Sequence, residues 1–314
     1  MLTDTPGIHH ITGIVRRAQA NVDFYRDVLG LRLVKQTVNF NEKFTRHLFY
    51  GDATGSPGTA LTFFPYPAED EGRPGKPQIS TAAVTIPRDS VPYWQDRLAD
   101  HDISVDGPFD RFDETVLRIS DPDGTQLELV TGESDVEPWV DGTVPTEHAI
   151  RGIHGVTLLS TSVYVTASML ETLGFELVDQ AGDRVRYRAA GDRATVVDLL
   201  DRDAEFGREG AGSIHHVAVR VPEKDQLFEW HDLFRERDYD VSRVKDRHFF
   251  HSLYVREPGG ILFELATETP GLAADEDPDE LGESLFLPPW LEEDREMIES
   301  QLPPLDLSRA GETE

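Results

Sequence analysis

Three short stretches carry side chains able to hold a metal ion: Ile8-His9-His10 near the start, Ile214-His215-His216 in the second half, and Glu264 within Ile261-Leu262-Phe263-Glu264-Leu265. Two imidazoles and one carboxylate, from His10, His216 and Glu264, form the ligand complement of a mononuclear non-haem Fe(II) centre with open coordination positions. Taken singly, each residue has a plainer reading. A histidine at a strand start is more often an ordinary hydrogen-bonding residue, and a Glu in an alternating strand more often faces outward. What sets these three apart is that they recur at comparable places in an internal repeat.

The surrounding residues share that setting. His9 and His215 immediately precede the two ligand histidines, and Thr12 lies two residues beyond His10 on the same strand face. If Pro258-Gly259-Gly260 closes a hairpin as a three-residue loop, Tyr254 stands opposite Glu264. Arg247 comes seven residues before Tyr254, at the entry to that strand. For Tyr254 the plain alternative is a cross-strand aromatic pair, and for Arg247 a surface ion pair.

The elements that must position them come from a fourfold repeat. GIHHITGIV (7–15) leads into a helical stretch ending in YRDVLGLRLV (25–34), and GIHGVTLLS (152–160) leads into MLETLGFELV (169–178). Each reads as a strand, a helix stopped by Gly30 or Gly174, and another strand. Two further units start at STAAVTIP (80–87) and IHHVAVRVP (214–222), continue into helices with apolar residues three and four apart, and close with hairpins around DPDG and EPGG. The chain thus reads as an α+β protein of four β-α-β-β-β modules with cupped mixed sheets. Modules 1 and 2 are expected to form an N-terminal domain (1–133), 134–150 a linker, and modules 3 and 4 a C-terminal domain (151–268). Residues 269–314 form an acidic tail, with a mobile run at 275–283 and a short helix docked through Leu285, Phe286, Leu287 and Trp290. Across the modules the ligand position on the first strand reads His10, Thr81, Gly155 and His216. Counting from the turn proline, the carboxylate position reads Phe63, Glu128 and Glu264, with Asp198 the nearest acid in module 3.

Composition narrows the class. The 314 residues contain no cysteine, which excludes disulfides, iron–sulfur clusters and thiolate chemistry. No apolar run approaches the ~20 residues of a membrane span, and the first residues lack the basic-then-apolar pattern of a secretory signal; a cytoplasmic protein is expected. Asp and Glu number 59 against 30 basic residues, a net charge of −29, so nucleic acid is not an expected partner. Only five of the basic residues are Lys, at 35, 43, 76, 224 and 245. An acidic, Lys-poor surface suits a protein dissolved in concentrated salt, where self-repulsion is screened, and suggests a halophilic source.

The paired IHH segments, the DFYRDVLGLRLVKQTVNF, HLFYGD and PGTALTFFP stretches and the DRHFFHSLYVREPGGILFELATETPG hairpin resemble the vicinal-oxygen-chelate superfamily of glyoxalase I, bleomycin-resistance proteins and extradiol dioxygenases. The resemblance covers nearly the whole chain and is nearest to hydroquinone-type ring-cleaving dioxygenases. It implies Fe(II), with Mn(II) as the alternative, held by His10, His216 and Glu264, and a small aromatic diol opened with O2. It also implies functional roles for His9, Thr12, His215, Arg247 and Tyr254, with His215 or His9 taking the phenol proton and Tyr254 and Arg247 stabilising charge on oxygen. His248 departs from the aromatic Tyr often found there, which bears on substrate preference. Three other readings stand beside this one. A catechol-type enzyme would build its site from modules 3 and 4, with His154 as ligand. A glyoxalase-like lyase would need a further carboxylate where Phe63 stands. A metal-free binding protein would put apolar residues at the triad. Oligomeric state is open, because the apolar tail can dock within one chain or across two.

Overall fold

The computed structural model describes residues 2–308. The first module consists of β1 (Ile8–Val15), α1 (Ala18–Val22), which continues as a π-helical turn over Asp23–Val28, then β2 (Arg32–Asn39), β3 (Glu42–Gly51) and β4 (Ala60–Pro65). The second has β5 (Gln78–Ile86), α2 (Val91–Asp100), β6 (Asp106–Arg111), β7 (Glu114–Ser120) and β8 (Gln126–Thr131). The third has β9 (Ile153–Leu159), α3 (Val163–Thr172), β10 (Glu176–Ala181), β11 (Arg184–Arg188) and β12 (Val196–Leu200). The fourth has β13 (Ile214–Val221), α4 (Lys224–Glu236), the two-residue strands β14 (Asp240–Val241) and β15 (Lys245–Asp246), then β16 (His251–Arg256) and β17 (Leu262–Thr267). Gly30 and Gly174 end the first and third helices with φ of +74° and +92°, a conformation that costs glycine nothing.

Every module closes the same way: its last strand returns parallel to its first, so β1 lies beside β4, β5 beside β8, β9 beside β12 and β13 beside β17. One edge of each first strand remains open. The open edges meet antiparallel as β1 with β13 and β5 with β9. The sheets therefore join module 1 to module 4 and module 2 to module 3, which differs from the expected pairing of sequence neighbours. The physical reason is that strand pattern sets which face is buried, whereas the choice of edge partner depends on how the closed modules fit together. First strands buried on both faces explain their near-continuous apolar runs. One large core spans all four modules, and α2 and α4 add Trp94, Leu98, Leu227, Trp230 and Phe234 to it.

We propose residues 134–150 as the connector between the halves; it is packed, with Val136, Val144, Ala149 and Ile150 buried. The tail runs along the outer edge of β2. Phe286 N donates to Gln36 O at 2.9 Å, and the Gln36 amide donates to Gly282 O at 3.0 Å. The acidic run expected to be mobile is tied down: buried Lys35 pairs with Glu276, and Arg32 donates to the carbonyls of Pro278 and Asp279. Leu287, Ile298 and Leu302 form a small core with Val38, while Trp290 is half exposed and meets Phe40 edge-on. The tail thus shields an edge strand that would otherwise be free to pair with another chain. Among the described residues no helix is long and apolar enough to cross a membrane.

Candidate metal centre

The antiparallel register of β1 on β13 sets His10 opposite Ala218 and Thr12 opposite His216, so two histidines from two modules point into one cup. On β17, Glu264 pairs with Ala218, two residues beyond His216 and on the same face. The three side chains converge. His216 Nε2 is 2.8 Å and His10 Nε2 3.1 Å from the same Glu264 oxygen, and the two Nε2 atoms are 3.4 Å apart. All three are buried, and their ligand atoms lie within 4.8 Å of one another. Both Glu264 oxygens nevertheless lack a properly aligned hydrogen-bond partner. Two imidazole nitrogens and a carboxylate, converging and under-satisfied in a dry place, are a donor set that fits a divalent ion.

Charge and hydrogen bonding agree with that fit. Burial by itself raises Glu264, but His216 and His10 outweigh it and hold the carboxyl well below its usual range. Burial pushes His216 down to about 4 and His9 to about 3, so both are neutral at ordinary pH. The far nitrogens are engaged. His10 Nδ1 is 2.9 Å from His9 Nδ1, and His216 Nδ1 is 2.7 Å from His215 Nδ1. His9 Nε2 in turn lies 3.2 Å from the Thr267 carbonyl oxygen. Each of the two prospective ligand histidines thus leans on the histidine before it, an arrangement that fixes ring orientation and tautomer.

The triad borders a cavity of about 490 Å³. His215, Arg247 and Tyr254 line it. Tyr254 faces Glu264 across the β16–β17 hairpin, as the three-residue loop predicts, and Arg247 donates to its hydroxyl at 3.4 Å. Burial raises the Tyr254 phenol far above its ordinary value, with Glu264 adding to the shift. His9 and Thr12 sit elsewhere: His9 is packed behind His10 against Phe250, and Thr12 is buried with its hydroxyl 2.8 Å from that of Thr62. His248 turns from the cavity to pair with Asp275 and to contact Phe286 and Trp290 in the tail. Aromatic walls come from Phe40, Phe49, Phe64, Tyr66, Phe249 and Phe250.

The profile of the Glyoxalase/Bleomycin resistance protein/Dioxygenase superfamily matches residues 7–129 and 169–265. The chain belongs to this superfamily. It is 41% identical, over 98% of its length and 99% of the relative's, to the Bacillus subtilis (strain 168) protein MhqO, whose name calls it a candidate ring-cleaving dioxygenase. It is 35% identical to the chlorohydroquinone/hydroquinone 1,2-dioxygenase of Sphingobium indicum, covering 91% of this chain and 92% of that one. The solved structure of a candidate dioxygenase from Bacillus subtilis superposes with a TM-score of 0.94 at 41% identity, over 98% of this chain and 100% of that one. Glyoxalase I of Zea mays shares the fold alone, at a TM-score of 0.64 and 17% identity over 84% of this chain and 92% of that one.

Superfamily symmetry exposes a second, altered copy of the site where β5 meets β9. There Thr81 and Gly155 take the places of the two histidines, and Glu128 and Asp198 the carboxylate places. A side chain at Gly155 would collide with the Val196 carbonyl, so no ligand can stand there. Where Tyr254 faces Glu264, this copy sets Arg118 against Glu128 and Arg186 against Asp198. Arg111 holds Glu128 at 2.6 and 2.7 Å, and Arg186 holds Asp198 at 2.8 and 3.0 Å and reaches Glu114 at 2.8 Å. His154, the ligand required by the catechol-type alternative, lies 3.2 Å from Glu114 instead. The same register corrects one residue of the sequence reading. The partner of Thr12, and so the carboxylate equivalent in module 1, is Thr62. Phe63 lies in the core against Tyr25, because the stretch from Pro57 to β4 is one residue shorter than that from Pro258 to β17, which displaces a count from the proline. His47, within the HLFYGD stretch, is not singled out by the sequence; it lines the cavity with its Nε2 2.9 Å from Thr62 Oγ1. Matching β3 to β16 would have drawn attention to this strand, since Phe49 faces Thr62 as Tyr254 faces Glu264.

Proposed function

We propose that this protein is a metal-dependent ring-cleaving dioxygenase that opens hydroquinone-type aromatic diols with O2. The observation that carries the reading is the convergence of His10, His216 and Glu264 beside an aromatic-walled cavity of about 490 Å³. The names of the relatives MhqO and hydroquinone 1,2-dioxygenase support the reaction class. His10, His216 and Glu264 would hold Fe(II), or Mn(II), whose redox chemistry would let O2 react with an electron-rich ring.

The chain's own residues then have distinct tasks. The aromatic walls bind the ring and exclude water, which strengthens every electrostatic contact inside. His215, at the cavity wall, receives the His216 Nδ1 hydrogen on its own Nδ1, so its Nε2 carries hydrogen and serves the bound diol as a hydrogen-bond donor. His9 and Thr12, which do not reach the cavity, act by positioning: His9 orients His10, and Thr12 anchors Thr62. Tyr254 stays protonated and donates to negative charge developing on oxygen, and Arg247 beside it adds a full positive charge. We include in this reading a cytoplasmic enzyme adapted to high salt.

Oxygen uptake by anaerobically Fe(II)-reconstituted protein in molar KCl tests it, with methylhydroquinone and catechol in parallel. Uptake with methylhydroquinone that disappears in His216→Ala is expected. No uptake with either diol, despite stoichiometric bound metal, would overturn the proposal.

A further inference from the structure

The module 1 wall of the cavity combines the rings of Phe40, Phe49, Phe64 and Tyr66 with polar residues, among which one cross-strand pair is set between the rings. His47 on β3 and Thr37 on β2 are direct cross-strand partners, and both line the cavity beside Phe49, Phe64 and Phe249. The His47 ring is clamped, with its centroid 4.0 Å from that of Phe49 and 4.2 Å from that of Phe64. Its Nε2 is 2.9 Å from Thr62 Oγ1, which is itself 2.8 Å from Thr12 Oγ1. This chain fixes the ring and occupies Nε2, which leaves Nδ1 as the ring's remaining polar atom. Thr37 Oγ1 is buried without a partner among the described residues, a state that folded proteins seldom tolerate without a use for it. Burial first, then the nearby His10, His216 and Arg247, keep His47 uncharged.

Placement says which part of a ligand this pair addresses. β3 is separated from β1 by β4, so the His47 backbone stands two strands from β1, about 10 Å across the sheet, and level with Ile14, about 13 Å further along the strand than His10. Tyr254, in contrast, directly faces Glu264 and serves the metal-side oxygen. The two oxygens of a para-diol lie at opposite edges of its ring, whereas those of an ortho-diol are on neighbouring carbons. A para-diol held at the metal by one oxygen must send its second hydroxyl across the cavity. An ortho-diol keeps both near the ligands.

We infer that His47 Nδ1, with Thr37 Oγ1 beside it, receives the second hydroxyl of a para-dihydroxylated ring and is the positioning element that selects hydroquinones over catechols. The inference rests on the ring-cleavage reading for its choice of ligand.

Anaerobic calorimetry on the metal-loaded protein tests it, with hydroquinone, catechol and phenol as probes. The wild type should bind hydroquinone more tightly than phenol. His47→Phe, which keeps an aromatic ring between Phe49 and Phe64, should shrink that preference about three- to tenfold, the usual worth of one hydrogen bond, and leave phenol and catechol affinities unchanged. The KM for hydroquinone should rise by a similar factor with kcat little altered, and His47→Gln should recover part of the loss. Thr37→Val should reduce the same preference more weakly, and it carries the test if His47→Phe fails to fold. An unchanged hydroquinone-to-phenol ratio in variants that keep phenol affinity and metal content would overturn the inference, as would a wild type without the preference. Intact preference without oxygen uptake on any diol would instead overturn ring cleavage and leave the binding role of His47 standing.

Discussion

Replacing His9 by Phe tests whether the prospective metal ligands depend on the histidines behind them. The Thr267 carbonyl can only accept a hydrogen bond, so His9 Nε2, 3.2 Å away, must carry hydrogen. His9 is held down to about 3 and is neutral, so its Nδ1 presents a lone pair. His10 Nδ1, 2.9 Å away, therefore donates, and the His10 lone pair is left on Nε2, facing Glu264 and His216. Phe at position 9 keeps a ring against Phe250 but removes the acceptor. His10 is then free to move its hydrogen to Nε2 and donate to Glu264, which hides the lone pair that a metal needs. Loss of such an orienting partner lowers metal affinity about 10- to 100-fold, or roughly 1.4–2.7 kcal/mol. Anaerobic competition against a chromogenic chelator would measure it, with His215→Phe as a parallel case acting through His216 Nδ1 at 2.7 Å. Affinity within twofold of wild type in a folded His9→Phe protein would refute the tautomer argument.

Four shorter predictions accompany it. His154→Ala should leave metal stoichiometry and diol-dependent oxygen uptake intact, because His154 is committed to Glu114; loss of metal would revive a site in modules 3 and 4. Arg186→Ala should lower stability in urea by about 3–5 kcal/mol, since it strips a buried partner from both Asp198 and Glu114, with a loss under 1 kcal/mol counting against the network. As pH falls from about 6.5 toward 4, the metal-free protein should lose stability by up to about 1.4 kcal/mol per pH unit for each of His9 and His216. Their folded values of about 3 and 4 lie below 6.5, so the unfolded chain takes up protons first; a flat profile in urea titrations would refute this. Finally, the thermal midpoint should rise between 0.1 and 2 M KCl as repulsion within a chain of net charge −29 is screened, and a fall would count against salt adaptation.

Much of the site is legible because the repeat supplies internal comparison. His10, His216 and Glu264 stand out against Thr81, Gly155 and Phe63 only once the modules are aligned, and strand alternation with hairpin length then sets Tyr254 opposite Glu264. The Phe63 position shows the limit of counting from a turn residue: one residue fewer between that proline and the strand exchanges a core side chain for a cavity-facing one. His47 was missed because nothing in HLFYGD marks it. Its importance arises from ring contacts with Phe49 and Phe64 and a hydroxyl chain through two other strands. Of the residues expected to dock the tail, Leu287 is buried and Trp290 half exposed, and the acidic run is held by Lys35 and Arg32, cations too distant in the chain to be linked to it in advance.

By itself the sequence determined the modules, their closing hairpins and the kinds of atom available for chemistry, because apolar periodicity, turn residues and ligand types are local properties. Only the tertiary structure decided that module 1 joins module 4, that Nδ1 of each prospective ligand meets the histidine before it, and that the equivalent place between modules 2 and 3 is filled by arginines. Those outcomes depend on how strand edges and buried faces, far apart in the chain, satisfy one another's hydrogen bonds and charges when packed together.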